Sequence, residues 1–175
     1  MKKLIFLTLA ALLVMGGNGL FADATANVTL NVNLAAWYNL SIGAATVTFT
    51  DVAPTAGPSP PSTPIAGSPA NVSVVAFAVC GSGQTLKLTV RAATDLTAPG
   101  PLTIGVDAIT WTASGDSGYT GGTMTTAAPG AAAGSWSGTI LHYHTGTFNY
   151  SFLRNYSTQA PGSYSATATY TLSAT

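Results

Sequence analysis

The chain has 175 residues, with five Lys or Arg against five Asp, so its formal net charge is zero and only 6% of it is charged. A nucleic-acid-binding protein needs a basic surface, and a helical bundle or coiled coil is rich in Glu, Lys and Arg, so the composition argues against both classes. With 47% hydrophobic residues, the chain is able to collapse around a core, and its length fits one domain.

The first 24 residues have the layout of a cleaved signal peptide. Lys2 and Lys3 precede an apolar run over residues 4–15, which is too short to cross a bilayer core of about 30 Å as a helix. Ala22 and Ala24 fit the rule of small residues around a cleavage site, so we expect cleavage after Ala24. The exported chain would then reach the periplasm, the cell surface or the medium without a further transmembrane span. An uncleaved anchor is the alternative.

The segment that follows has the pattern of a strand close to a free terminus. Apolar side chains alternate with Thr29, Asn31 and Asn33, a period of two that is typical of a strand with one buried face. Such a strand either completes its own sheet or inserts into a neighbouring subunit. The candidate subunit contacts are Val28, Leu30, Val32 and Leu34.

The rest of the chain also predicts strands. Residues 53–70 are different, because they hold six of the ten prolines and predict a long loop inside one domain. A turn is expected at 144–146, between two strands. The predicted fold is therefore all-β, an immunoglobulin-like antiparallel β-sandwich formed by residues 25–175 as a single domain. The predicted strands cover residues 37–42, 46–50, 71–80, 85–91, 109–113, 135–141, 147–153 and 164–173.

Few residues are suited to chemistry. His142 and His144 are two apart, so on a strand both imidazoles would project from one face and could share a metal. Two ligands are too few, and a polar hairpin tip is the simpler interpretation, so we predict no metal and no cofactor. Cys80 lies in an apolar run and predicts a buried thiol, with an intermolecular disulfide as the alternative.

Catalysis is not expected from this sequence. No Gly-x-Ser-x-Gly motif occurs, and the Asp residues after residue 24 mostly lie beside turn residues, where Asp is common. A hydrolase would need two of these carboxylates in one cleft. Tyr119 and Tyr143 lie near predicted turns and are candidates for exposed ligand contacts, whereas Trp111 and Trp136 are expected in the core.

Four segments resemble a group of small exported bacterial proteins with an immunoglobulin-like sandwich. The last strand is also distantly similar to that of chaperone–usher pilins and spore coat protein U-like secreted pilins, with Gly162 about fourteen residues from the end. The resemblance brings no known activity. With the low charge and the alternating strand near the terminus, we predict a non-enzymatic cell-surface or fibre-type subunit that associates with itself or with related surface subunits, and the alternative is an extracellular module binding carbohydrate or metal. The segments are residues 27–32, 109–115, 134–138 and 162–172.

Overall fold

A computed structural model describes residues 28–52 and 64–175. The chain divides into two units, Met1–Leu34 and Ala35–Thr175, and all strands of the described residues lie in the second. Within the described ranges a single 3-10 turn, Val106–Ala108, lies between strands, and no helix there is long and apolar enough to cross a membrane. The strands are β1 (Trp37–Ile42), β2 (Thr48–Phe49), β3 (Ile65–Ser68), β4 (Val72–Val79), β5 (Leu86–Ala92), β6 (Leu96–Thr97), β7 (Thr103–Ile104), β8 (Ile109–Gly115), β9 (Gly122–Thr123), β10 (Ala131–Trp136), β11 (Leu141–Phe152) and β12 (Ala168–Ala174).

The long strand β11 organises the larger, seven-stranded sheet. One edge of β11 pairs first with β4 and then with β3, and its other edge pairs with β8. The sheet continues outward through β1 beside β4, β2 beside β3 and β9 beside β8. All of these pairings are antiparallel.

The smaller sheet has three antiparallel strands in the order β10-β5-β12, and β6 and β7 form a separate short pair. One buried cluster draws side chains from both sheets, including Val74, Leu88, Trp136 and Phe148. The architecture is therefore an antiparallel β-sandwich, as the sequence predicted.

Alternation along the central strands produces this core. In β4 the side chains from Val72 to Ala78 are buried at every second position, and in β5 the same holds from Leu86 to Ala92. Burying a Val or Leu side chain contributes about 1.5–3 kcal/mol, so these two strands supply much of the favourable free energy of folding. Trp111 and Trp136 are also buried, which confirms their predicted place in the core. Their indole N–H groups donate to the backbone carbonyls of Thr120 and Ser117.

Two predicted segments fall wholly or partly outside the described residues. The predicted signal peptide, residues 1–24, lies outside them, and so do residues 53–63 of the predicted loop. The downstream part of that loop prediction is wrong, because Ile65–Ser68 form β3. These four residues contain no proline, and their backbone pairs with β2 on one side and with the end of β11 on the other.

The predicted turn at 144–146 is also wrong. Residues 141–152 form one continuous strand, and the chain instead turns before it, where Gly138 has a φ of 92°. Gly146 is required for close packing within the sheet, since a Cβ atom there would lie 2.6 Å from the Tyr119 ring. The two histidines thus lie within a strand and not at a hairpin tip.

Candidate functional site

The segment 28–34 forms no strand, contrary to the prediction from its alternation. Its apolar side chains are nevertheless the most exposed of their kind among the described residues, at 80% for Val28, 85% for Leu30, 77% for Val32 and 90% for Leu34. A strand needs a neighbouring strand edge to form hydrogen bonds with its backbone N–H and C=O groups. A period of two in the sequence identifies only the face that such a strand would bury. We call residues 28–34 the association segment.

The histidine pair lies on the inward face of β11. His142 is 1% exposed, and its Nδ1 atom lies 3.3 Å from Nε2 of His144, so one ring N–H donates to the other ring. The His144 ring is stacked on Trp136, with a centroid distance of 4.5 Å and an interplanar angle of 9°. Nε2 of His142 has no hydrogen-bond partner among the described residues.

This environment favours the neutral form of His144. Burial lowers the pKa of His144, the neighbouring His142 lowers it further, and Asp116 opposes both effects. Within residues 28–52 and 64–175, no group of three or more His, Cys, Asp or Glu side chains is placed to hold a metal ion. The geometry therefore offers two packed imidazoles inside the sandwich and no assembled metal centre around them.

Tyr119 is not an exposed contact. Its hydroxyl lies within hydrogen-bonding distance of the carbonyls of Val74 and His144, at 3.3 and 3.0 Å, and burial raises its pKa to about 12. Its ring packs edge-on against Trp136 and Phe148. Tyr119 therefore has a packing role and not the predicted role as an exposed ligand contact. Its ring packs over Gly146 of β11, which has no side chain to exclude it.

Tyr143 does lie on the surface. It is 63% exposed on the outer face of β11, beside Phe77 of β4 at a centroid distance of 6.3 Å. Trp37 of β1 packs edge-on against the other side of Phe77 at 4.9 Å. We call Trp37, Phe77 and Tyr143 the aromatic row, which crosses three neighbouring strands.

The sequence indicated only part of this row. The sequence of β4 is almost wholly apolar, yet only alternate positions are buried, and Val75, Phe77 and Val79 are half-exposed. No charged residue occurs in β1, β4 or β11, so the outer surface around the row is apolar or polar but uncharged.

Three of the four described Asp carboxylates make contacts of an ordinary structural kind. Asp51 forms an ion pair with Arg154 and accepts a hydrogen bond from the Tyr156 hydroxyl at 2.9 Å. Asp95 accepts from the Val106 N–H, and Asp116 accepts from the Thr145 N–H. The Asp51 contacts join two loops, the Asp95 contact joins a loop to the 3-10 turn, and the Asp116 contact joins a loop to β11. Cys80 is a free thiol and is buried, as expected from its apolar surroundings.

Comparisons of this chain with family models, with curated proteins and with solved structures find no match.

Proposed function

We propose that this protein is an exported cell-surface or fibre-type structural subunit, without enzymatic activity, whose copies associate by β-strand addition. One observation carries the proposal: the association segment has the alternation of a strand, forms none, and leaves four large apolar side chains exposed. Exposed apolar surface of this kind is typical of interaction sites. Strand addition suits such a segment, because the backbone hydrogen bonds of an added strand give affinity and its alternate side chains fix the register.

The low charge of the chain supports association of like copies. After residue 24 the chain carries only Lys87, Arg91 and Arg154 as cations and four Asp as anions. Copies with so few charges repel one another weakly, so apolar contacts between them are not offset by Coulomb repulsion.

The test places charge on the apolar face of the association segment. We expect the full chain, recovered from the exported fraction of a bacterial host, to form filaments or a ladder of oligomers that depends on concentration. The double variant Leu30→Asp, Val32→Asp should remain monomeric, because insertion of its association segment into another copy would bury two carboxylates. Light scattering with negative-stain imaging measures the difference.

The matched control carries the same two charges on the other face. Thr29→Asp, Asn31→Asp should assemble like the unchanged chain, since its carboxylates would face solvent in an added strand. Filaments from Leu30→Asp, Val32→Asp, or an unchanged chain that stays single at every concentration, would contradict the proposal.

A second candidate function is binding of a neutral carbohydrate on the aromatic row. The observation that favours it is the exposure of Tyr143 and Trp37 beside Phe77 on an uncharged sheet face. Tyr and Trp side chains combine an apolar ring with one hydrogen-bonding group, and they therefore suit a ligand that has both apolar and polar surface. If this function holds, Tyr143→Ala should weaken retention in gels containing neutral glucans by about tenfold, a loss of about 1.4 kcal/mol.

Leu153→Ala is the control for that measurement, because Leu153 is exposed but outside the aromatic row. Equal retention of the unchanged chain, Tyr143→Ala and Leu153→Ala, or no retention of any of them, would remove the carbohydrate candidate.

A further inference from the structure

A mainly apolar groove, whose lining also includes the ion-paired Asp51 and Arg154, runs along one open side of the sandwich. It consists of two adjoining cavities of about 420 and 560 Å³ that share residues such as Val47, Phe49 and Ile109. One wall is formed by the chain around β2, and the other by the chain that leads into β12. The lining residues used in the argument are Ile42, Ala44 and Phe49 on the first wall and Tyr164, Ala166 and Ala168 on the second.

The wall that contains β12 ends in a free strand edge. β12 pairs with β5 on one side, and in the described chain no strand pairs with its other side. Both backbone groups of Thr175 bond to Thr85, and both groups of Ser165 bond to Thr97. Because backbone groups alternate between the two edges of a strand, those of Ala168, Tyr170 and Leu172 point away from β5. They offer hydrogen bonds to one more strand.

The side chains of the groove and of the association segment are complementary in size. Ala44, Ala166 and Ala168 leave space in the groove walls, and Ala166 and Ala168 are exposed although they share the inward-facing parity of Tyr170. The association segment carries Val and Leu at every second position, and its seven residues would extend about 23 Å as a strand. Large side chains on the added strand would thus fill the volume that alanines leave open.

The state of the association segment favours a segment from another copy. In the described chain residues 28–34 form no strand, and Val28, Leu30, Val32 and Leu34 are exposed. None of them lines the groove. The groove and the segment are therefore both open in one copy, and each is available to a second copy.

The geometry points to this groove as the acceptor site, in which the association segment of a second copy lies along the free edge of β12. Sheet β10-β5-β12 gains a fourth strand, and Val28, Leu30, Val32 and Leu34 face the core. This inference rests on the proposed function, because it names the partner surface that strand addition uses.

The experiment uses disulfide cross-linking between two populations of full chain, both carrying Cys80→Ala. Donor chains carry Val28→Cys, Leu30→Cys or Val32→Cys in separate preparations, and affinity-tagged acceptor chains carry Ala168→Cys. After mixed assembly and mild oxidation, we expect a donor–acceptor dimer with at least one donor position. Thr169→Cys is the control acceptor and should give no dimer, because its side chain lies on the opposite face and cannot reach disulfide geometry.

A second variant avoids cysteine altogether. The Ala168→Trp variant places an indole ring in the groove, since Ala168 lines it. We expect this variant to lose assembly while the circular dichroism of the monomer stays unchanged. Its control is Thr169→Trp, which places the same ring on the outer face and should assemble.

The outcomes separate the acceptor site from the proposed function. Filaments that persist in Ala168→Trp and give no cross-link to Ala168→Cys would overturn the acceptor site and leave strand addition standing. A cross-link formed within one chain carrying both Leu30→Cys and Ala168→Cys, at concentrations where no oligomer forms, would show self-completion and overturn the second copy as occupant. Absence of any assembly by the unchanged chain would overturn the proposed function, and this inference with it.

Discussion

His142 and His144 occupy inward positions of β11 where a sandwich strand ordinarily carries apolar side chains. The two rings share a hydrogen bond, and the His144 ring stacks on Trp136. Burial and the neighbouring His142 ring both lower the pKa of His144, so its protonation is less favourable in the folded chain than in the unfolded chain. His144 therefore links the stability of this end of the sandwich to pH.

We expect the free energy of unfolding to fall as the pH decreases below about 6.5. The pKa of His144 is lowered in the folded chain, chiefly by burial, so the unfolded chain takes up the proton first. Above the ordinary pKa both states are neutral and His144 contributes no pH dependence. The loss begins near 6.5 and ends once the pH is below the lowered pKa of the folded state.

Urea unfolding at pH 7.5 and pH 5.0 measures this effect. His144→Gln, which does not titrate, should lose less unfolding free energy between these two pH values than the unchanged chain. Lys87→Gln is a control, since it removes a titratable group on the outward face of β5 and should leave the difference between the two pH values unchanged. Equal losses in His144→Gln and the unchanged chain would refute the role given to His144.

At the scale of the strand, local sequence patterns located several strands correctly. β1 matches its predicted residues, and β5 and β8 lie within a few residues of theirs. The prediction failed in β11, where His144, Thr145 and Gly146 resemble a turn. Gly146 lies there because the Tyr119 ring packs over its backbone, a contact between residues 27 positions apart that no local pattern contains.

The association segment shows a different limit of the same reasoning. Its period of two correctly identified a set of apolar side chains, but whether they form a strand depends on a partner edge, which periodicity does not encode. The aromatic row shows the same limit, because its contacts depend on which strands pair. Tyr143 was recognisable as a surface candidate, whereas its contact with Phe77 depends on the pairing of β4 with β11 and that with Trp37 on the pairing of β1 with β4. Site residues that share one element were predictable, and those assembled by register were not.

At the scale of the whole sandwich, the two sheets differ in width. The larger sheet has seven strands and the smaller has three, so one side of the core beyond β12 is left as an apolar groove. A fourth strand in the smaller sheet would cover this side. Folding and association are then coupled, because the strand that completes the core of one copy comes from another.

This coupling predicts that thermal stability depends on protein concentration. A partner that binds only the folded state raises the free energy of unfolding by about 1.4 kcal/mol for each tenfold increase in its concentration above the dissociation constant. For a domain of this size, we expect the unfolding midpoint to rise by roughly 3–6 °C per tenfold increase. Scanning calorimetry across a hundredfold concentration range would measure the slope.

Leu30→Asp, Val32→Asp supplies the reference for that slope. Leu30 and Val32 are both exposed in the monomer, so the unfolding midpoint of the double variant should equal that of the unchanged chain at the lowest concentration. Its midpoint should not rise at higher concentrations. Thr29→Asp, Asn31→Asp should follow the unchanged chain throughout. A midpoint that is independent of concentration in all three, with filaments still present, would mean that association adds nothing to the core and that the copies join through a surface other than the groove.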